Sequence, residues 1–445
     1  MEKPIIFITF SFLSGIITAL ILNINIFYGA AVAASFAFIM LWLKWNEAVL
    51  NFIFFFLGIV SFLLYFKITI PSTLTTRIVF KSDNFCVAKY KNRKIFLGGD
   101  LKEVSLGEKI CVKGEVIYNK DLYKGVVGSI YVKEYFTEHS DIISKLYSIK
   151  ENIYYEYSLV LGEEYSADIM ATCFGDTQYL DYNKRKEMNR LGISHIMAVS
   201  GFHVAIIYGI LEFFLGIWGL IILFIYIVIT GMKASSLRAF IMLLLMKVSK
   251  KIYRNYDNQS ALAFSALVLL IFNPYYITDI GFCLSFLATS GIILYYPKFR
   301  RELYKLPSKI RDGMSITLSA QFFTVPYLMM SGMDININSI PGNLVIVPLY
   351  TLVIVIGNIG VLLVKIKPIF KIICYGILNL MTAIKGASFL MLKISPSLKT
   401  YDYIEGIVVI LIYMCYIFVK RGYDEVKFFP LIIMSFLLIY KLGII

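Results

Sequence analysis

The sequence predicts a polytopic α-helical membrane protein with a small β-barrel inserted after its first helices. Three observations carry that expectation. Hydrophobic residues make up 59% of the 445 positions and the mean hydropathy is +0.75, far above a soluble domain. Apolar runs near the spanning length recur along the chain, about 11–13 of them, with some short enough to be re-entrant. Between residues 67 and 139 those runs stop, and short β-prone stretches separated by turn signals take their place.

Residues 5–22, 26–43 and 48–66 read as three spans with very short connections, forming an N-terminal transmembrane region, 1–66. The first follows Met1-Glu2-Lys3-Pro4. Further apolar segments come at once and no small-residue cleavage site stands out, so it reads as a retained helix rather than a signal peptide. Lys3 before the first span and Lys44 between the second and third favour a cytoplasmic N-terminus, which places residues 67–139 outside the cell membrane.

Within 67–139, the runs 77–80, 85–90, 94–97, 110–118 and 125–133 are divided by turns such as Gly98-Gly99-Asp100 and Asn119-Lys120-Asp121. That spacing fits an extracellular OB-like barrel. Bases outnumber acids there, and Lys89-Tyr90-Lys91-Asn92-Arg93-Lys94 interleaves aromatic with basic groups. Rings that stack on bases beside cations that neutralise phosphates are the chemistry of single-strand binding. Lys89, Tyr90, Lys91, Arg93, Lys94, Lys113 and Lys124 are therefore candidate DNA-binding residues, set against the plainer reading of a solvated hairpin with ordinary lysines. The six cysteines show neither a CxxC pair nor metal-ligand spacing. Cys86 and Cys111 share the insert and are candidates for a disulfide, whereas Cys173, Cys283, Cys374 and Cys415 read as packing residues. No metal or cofactor is expected.

Residues 140–165 read as an amphipathic helix lying in the outer interface, with Ile142, Leu146, Ile149, Ile153 and Val160 at helical spacing and Lys145, Lys150, Glu151 and Glu156 on other faces. Ser140 can start it and Gly162 stop it. The remainder, 166–445, reads as a helical membrane domain with apolar segments at 196–216, 217–230, 234–248, 258–272, 280–296, 315–330, 342–364, 369–391, 404–419 and 428–440. Basic groups cluster at 247–254, 297–312, 365–371 and 420–427, and counting crossings from an outside insert puts all four inside. The segments 217–230 and 234–248 are short and meet at Gly231, so they are candidates for a re-entrant pair beside a wet cavity.

The chain turns on residues 191–204, LGISHIMAVSGFHV, which hold two of its three histidines, His195 and His203. Polar groups that open an apolar segment are costly in lipid and mark a functional face. A helix running from Ile193 would place His195, Val199 and His203 at i, i+4 and i+8. The two histidines would then be roughly 12 Å apart along the axis, too far to share a metal. Ala198-Val199-Ser200-Gly201 is superficially similar to the GxSG of intramembrane serine proteases, but such a site needs a base on another helix and no histidine follows His203. Ser200 and Gly201 otherwise permit close helix packing. Arg238, Asp257, Asp279, Gln321, Asn343 and Lys385 also sit in apolar company. With His195, Ser200 and His203 they are the candidates for lining or gating a hydrated path, although each taken singly fits an intramolecular pair as well. Pro326, Pro341 and Pro348 mark kinks or helix ends around it. The formal charge of +14 biases the chain toward anionic partners, lipid head groups or nucleic acid, in addition to orienting its helices. There is no GxxxxGK[ST] phosphate loop, so movement along a path needs a separate motor or an ion gradient.

These residues carry a resemblance. Gly175-Asp176 and residues 191–204 closely resemble the signature of the ComEC family of competence proteins. Ser236-Leu237-Arg238-Ala239-Phe240-Ile241-Met242, residues 257–274, residues 279–286, 321–326 and 343–348 follow in the family's order. The resemblance is strong over 166–349 and looser over the insert. It implies a plasma-membrane channel that passes single-stranded DNA into the cytoplasm during natural transformation. DNA would be gathered by the OB-like domain, with an extracellular DNA receptor and a cytoplasmic helicase-like ATPase as partners. One departure stands out: many members end in a metallo-β-lactamase-like domain, and this chain has no histidine beyond His203 to build its metal cluster. The expectation is a channel rather than an enzyme, with strand degradation left to a separate nuclease. The competing reading is a secondary transporter of a small anionic solute, which predicts internal repeats, and none is visible.

Overall fold

The computed structural model describes residues 3–40, 45–81, 85–101, 104–138, 141–336, 338–394, 403–420, 429–430 and 434. In chain order the elements are helices α1 (Pro4–Ile24), α2 (Ile26–Met40) and α3 (Trp45–Phe66), followed by strands β1 (Thr73–Lys81), β2 (Cys86–Tyr90), β3 (Arg93–Gly98), β4 (Lys109–Ile117) and β5 (Val126–Thr137). Helices α4 (Ile142–Leu161), α5 (Glu163–Phe174), α6 (Tyr182–Arg190), α7 (Gly201–Leu215), α8 (Gly219–Ile229), α9 (Ala234–Lys251) and α10 (Asn258–Phe272) come next. Last are α11 (Ile280–Glu302), α12 (Ser308–Met330), α13 (Ser339–Leu363), α14 (Lys367–Ile394) and α15 (Tyr403–Lys420). They form two compact units, Met1–Val160 with Ser200–Cys283, and Leu161–Val199 with Leu284–Ile445.

The protein is a multi-pass membrane protein. Among the described residues, 6 stretches are long and apolar enough to cross a bilayer, and three shorter apolar helices accompany them. The segment expected at 428–440 lies almost wholly outside the described residues.

In the first unit, Pro4 occupies the start of α1, where its missing N–H costs nothing. Asn25 makes the short joint to α2 by accepting from Phe27 N–H at 2.9 Å. Helices α1 and α3 cross at glycines: a Cβ on Gly15 would lie 2.0 Å from the Phe55 carbonyl oxygen, and one on Gly58 2.3 Å from that of Phe12. Backbones this close pack through van der Waals contact, the dominant attraction where lipid offers no hydrophobic drive. Ser11 donates to Asn51 at 2.9 Å inside this contact, and Phe36 of α2 stacks on Phe55 with ring centroids 4.2 Å apart.

The barrel closes in the order β1-β2-β3-β5-β4, with β3 parallel to β5 and the other pairs antiparallel. This is the five-stranded OB-like barrel that the sequence predicts. Ile78, Ala88, Ile95, Leu97, Ile110, Val112 and Val127 are fully buried in it. Strands β2 and β3 join through Lys91 and Asn92, both at positive φ, the two-residue hairpin turn that matches strand twist. The disulfide expectation is corrected here, because Cys86 and Cys111 are both free. Cys86 faces Lys81 across the β1–β2 ladder while Cys111 faces Thr75 across the β1–β4 ladder. They are thus two strand spacings and several residues apart, far beyond the roughly 7 Å limit between bridged Cα atoms.

Helix α4 follows the barrel. Asp141 caps it, accepting from Ser144 N–H at 2.9 Å, and Arg77 of β1 pairs with the same carboxylate, while Ser140, expected to start the helix, lies outside the described residues. Ile153 and Tyr157 are buried, whereas Ile142, Ile149, Tyr155 and Leu159 are exposed.

The expected segments 217–230 and 234–248 form α8 and α9, which part at Gly231 (φ 89). The first break comes earlier, at Gly216 (φ 56, ψ −134), followed by a 3-10 turn Gly216–Trp218. A Cβ on Gly219 would come 3.0 Å from the Leu211 Cβ, an approach impossible for residues eight apart in one straight helix. Helix α8 therefore folds back on α7, and the apolar stretch Gly201–Ile229 is a broken pair rather than one rod. Its 15- and 11-residue arms fall short of the ~30 Å hydrocarbon core at 1.5 Å per residue.

In the second unit α5 is buried from Ser166 to Phe174 and stops at Gly175 in the left-handed conformation. Its Cys173 Sγ would lie 2.9 Å from a Cβ on Gly357 of α13. Gly291 of α11 packs against the Ser319 carbonyl of α12. Tyr295, Phe322 and Tyr413 stack in series at 4.0 and 4.4 Å.

Candidate functional site

The stretch 191–204 does not fold as one helix. His195 is exposed on a 3-10 turn, Ser194–Ile196, and α7 starts only at Gly201. The expected i, i+4, i+8 alignment is therefore corrected. Ser200 interrupts it, adopting an extended backbone (φ −100, ψ 171) as N-cap. His203 occupies the third helical position and closes a capping box. Its Nδ1 accepts from Ser200 N–H at 3.2 Å and lies 2.8 Å from Ser200 Oγ. The usual pattern has Glu or Gln at that position. Here an imidazole that is only 1% exposed takes the role.

Arg238 of α9 completes the cluster. It is buried, and its guanidinium rests on Gly201, where a Cβ would lie 2.4 Å from Nη2 and 3.3 Å from the Ala239 Cβ. Glycine leaves the room that the guanidinium fills. Arginine keeps its charge even when buried. The positive end of the α7 dipole and this cation converge on one place, a setting that favours negative charge.

The other polar candidates divide by what they touch. Asp257 is the N-cap of α10: it accepts from Ser260 N–H at 2.8 Å and pairs with Lys3 at 2.8 Å. Asp279 accepts from Phe282 N–H at 2.8 Å as α11 begins. Gln321 donates to Ser339, and Asn343 donates to Thr317 at 3.3 Å, so these two join α12 to α13. Asn343 Oδ1 is buried without a hydrogen bond. Lys385 is exposed and pairs with Glu164 at 3.3 Å. The structure thus gathers Ser200, His203 and Arg238 in the first unit and Gln321 and Asn343 in the second, while Asp257 and Asp279 cap helices.

Sequence reasoning missed Asp168, on α5 in the second unit. It is 2% exposed, with Oδ1 unbonded and Oδ2 3.9 Å from Lys184 Nζ. Burial pushes its pKa up to about 6, against the pull of Lys184. An acid inside the run Ser166-Ala167-Asp168-Ile169-Met170 was the available signal.

On the barrel, Lys89 of β2 faces Lys94 of β3 on one side and Arg77 of β1 on the other. Like charges directly opposite are unfavourable in a sheet, and a polyanion laid across them relieves that cost. Val87 and Phe96 form the next cross-strand pair on this face, and Phe85 packs edge-on to Phe96 at 5.5 Å and beside Phe80 at 6.3 Å. Phe80 and Phe85 are exposed. These three aromatics were not among the expected residues, although their strand-end positions beside lysines were visible.

The predicted DNA-binding residues have different surroundings. Lys91 is exposed at the hairpin tip, with its ammonium 5.4 Å from the Tyr90 ring. Arg93 and Lys94 turn toward helix ends. Arg93 donates to the Leu64 carbonyl at 2.7 Å and lies 5.7 Å from the Tyr65 ring. Lys94 Nζ sits 4.4 Å above Tyr275. Burial lowers the Lys94 pKa, Asp279 raises it and Lys89 lowers it further. Tyr65 donates to the Gly125 carbonyl at 3.0 Å, and Thr278 to that of Tyr123 at 2.7 Å. Lys113 and Lys124 pair with Glu134 and Asp121. The barrel is thus fastened to α3 and to the turn Pro274–Thr278, while its Lys89–Phe96 face lies on the strands themselves.

Comparison with known proteins adds a family. A family model described as Competence protein matches residues 172–423, more than half of the chain. ComE operon protein 3 of Bacillus subtilis is 28% identical over 273 residues, covering 58% of this chain and 35% of that protein. An uncharacterized protein of Mycoplasma genitalium, MG316, is 34% identical over 108 residues, covering 22% of this chain and 28% of its own length. Its Mycoplasma pneumoniae homolog is 29% identical over 106 residues, with the same coverage. The chain therefore spans about a third of the length of the curated relatives it matches. No solved structure matches.

Proposed function

The chain belongs to the competence protein family, and from that premise we propose that it serves DNA uptake as a membrane channel passing a single strand into the cytoplasm. The observation that carries this reading is the barrel. One face of it carries Lys89 and, farther along, Phe96 packed on Phe85, and the barrel is fastened through Tyr65 and Arg93 to the end of α3 and through Tyr275 to the turn before α11. A gathering surface fixed at the mouth of a path needs that linkage. A phosphodiester chain cannot enter hydrocarbon, since burying unpaired charge costs many kcal/mol. The buried Arg238 at the start of α7 supplies a positive station within the membrane domain. The domain organisation we propose is a transmembrane region at 1–66, an extracellular barrel at 67–139, an interfacial helix at 140–165 and a channel domain from 166 onward. An extracellular DNA receptor, a cytoplasmic helicase-like ATPase and a separate nuclease are the proposed partners.

The test uses cells lacking this protein, complemented with wild type or with Lys89→Gln/Phe85→Ala, and given fluorescent DNA. Surface-bound and nuclease-protected signals are scored separately. The proposal expects the deletion to lose protected DNA and the barrel variant to lose about tenfold, in line with the ~1–3 kcal/mol a stacked base contributes. Unchanged protection in the deletion strain refutes it and turns attention to a small-anion transporter.

A further inference from the structure

Beyond the barrel and the α7 cluster, the second unit holds a pocket of about 670 Å³ lined by Tyr296, Pro297, Arg300, Arg301, Tyr304 and Arg311. It lies where α11 ends and α12 begins. Its size falls in the roughly 300–1,000 Å³ range of small-ligand sites. We propose that this pocket binds one or two nucleotides of a single DNA strand, its arginines taking phosphates and its tyrosines stacking on bases. The proposal rests on the uptake reading and adds a second contact point to it.

The arginines are arranged rather than merely abundant. One carboxylate oxygen, Asp312 Oδ1, accepts from Arg300 Nε at 2.9 Å and from Arg311 Nε at 3.1 Å. Asp312 thereby holds two guanidinium forks side by side through their inner nitrogens. The Nη donors of Arg300 and Arg311 carry no hydrogen bond among the described residues, and a paired fork suits the two free oxygens of a phosphodiester. Arg301 is tied back to the Pro297 carbonyl at 3.2 Å.

The local helix ends point the same way. Arg300 and Arg301 close α11, where the dipole favours cations. Lys309 and Arg311 open α12, where it disfavours them, and no acid lies in that first turn. Asp312, just past that turn, offsets part of this charge, and a bound anion would offset the rest. The tyrosines decide which anion. Tyr304 is 66% exposed, and a ring held out in a polar loop offers a face to a base. Of the six lining residues only Pro297 is neither basic nor aromatic. A lipid phosphate would bring acyl chains with no aliphatic wall to lie along.

The test measures fluorescein-labelled oligo-dT binding by anisotropy, using the full chain in nanodiscs of phosphatidylcholine or phosphatidylglycerol across a salt series. Variants are Arg300→Gln/Arg311→Gln and Tyr304→Ala, each in the wild-type and the Lys89→Gln/Lys91→Gln background. The expected result is about tenfold weaker binding by the arginine variant. Its log–log salt slope should flatten by about 0.7, the value for one single-strand phosphate. Tyr304→Ala should weaken binding with its slope intact, since stacking releases no counterion. Should the arginine variant misfold, the exposed Tyr304 carries the test alone. Wild-type affinity and slope in both variants overturn the proposal, as does a loss confined to phosphatidylglycerol discs, which marks a lipid site. If the deletion strain transforms normally, the uptake reading fails. If it does not, but the pocket variants bind oligo-dT like wild type, the pocket alone fails.

Discussion

Replacing His203 in two different ways separates its part in folding from any part in transport. His203→Ala deletes the N3 arm of the capping box. It removes the acceptor for Ser200 N–H at 3.2 Å and the 2.8 Å contact with Ser200 Oγ, and it leaves a space where a side chain 1% exposed had been. A lost cap costs about 1 kcal/mol, and a buried hydrogen bond with its cavity adds about 1–2. The sum, roughly 2–3 kcal/mol, corresponds to a fall of about 4–12 °C in Tm at the ~2–4 °C per kcal/mol typical of a unit this size. His203→Gln restores the ordinary Ser-x-x-Gln box and should stay within about 1 kcal/mol of wild type. Thermal unfolding of detergent-purified protein reads both, and nuclease-protected DNA uptake is measured on the same variants. A His203→Ala protein as stable as wild type, or a His203→Gln protein as unstable as His203→Ala, refutes the capping account. Stable His203→Gln that no longer takes up DNA assigns the imidazole to the path.

Three further outcomes follow from particular contacts. The Asp168 pKa is raised from 3.8 to about 6 in the folded protein. The folded state therefore holds the proton more tightly, and the carboxylate's contribution to stability falls as pH rises from about 4 to about 6, by about 3 kcal/mol at 1.36 kcal/mol per unit. Asp168→Asn should accordingly raise Tm at pH 7.5 and lose that advantage at pH 4.5, and a lower Tm at pH 7.5 refutes the assignment. Gly58→Val drives a side chain against the Phe12 carbonyl, 2.3 Å from the first added carbon. It should prise α1 from α3 at a cost of about 3 kcal/mol or more, read as faster proteolysis of the N-terminal region. Gly125→Ala meets the Tyr275 ring at 2.3 Å from a left-handed backbone (φ 70). It should loosen the barrel from the Pro274–Thr278 turn, seen as faster amide exchange at Tyr123 to Val126, while the β1–β2 ladder keeps its protection.

The fold class was legible because its two signals are periodic and redundant: apolar length for helices, and alternation between turns for the barrel strands. What escaped was set by single contacts. The boundary between 196–216 and 217–230 matches the break at Gly216, but hydropathy does not show that both arms, 15 and 11 residues long, are short of a full span. His203 read as a functional histidine because a buried imidazole serving as the N3 cap is rare, although Ser200 three residues earlier was half of the motif. Asp257 and Asp279 looked like intramembrane acids, yet each opens a helix, where a carboxylate satisfies orphan N–H groups. Arg93 and Lys94 looked like a DNA-binding tip, but the tyrosines that draw them aside, Tyr65 and Tyr275, lie 28 and 181 residues away from Arg93 and Lys94 respectively. Contacts of that separation leave no local trace.

Helix length divides the membrane helices more clearly than polarity does. Helices α1, α3, α11, α13 and α14 run 21 to 28 residues, enough to cross a bilayer. Between Leu191 and Asp279 none does: α7, α8, α9 and α10 have 15, 11, 18 and 15 residues, divided at Gly216, at Gly231 and between Ile252 and Asp257. Each break frees backbone donors and acceptors that hydrocarbon cannot satisfy, so broken helices at membrane depth persist only against protein or a water-filled cavity. Caps answer part of that demand, which accounts for Ser200, His203 and Asp257 without any transport role. Arg238 differs in place, because it lies within α9, buried, with its guanidinium against Gly201 at the first position of α7. Capping of its own helix therefore does not account for its place, as it does for Ser200, His203 and Asp257.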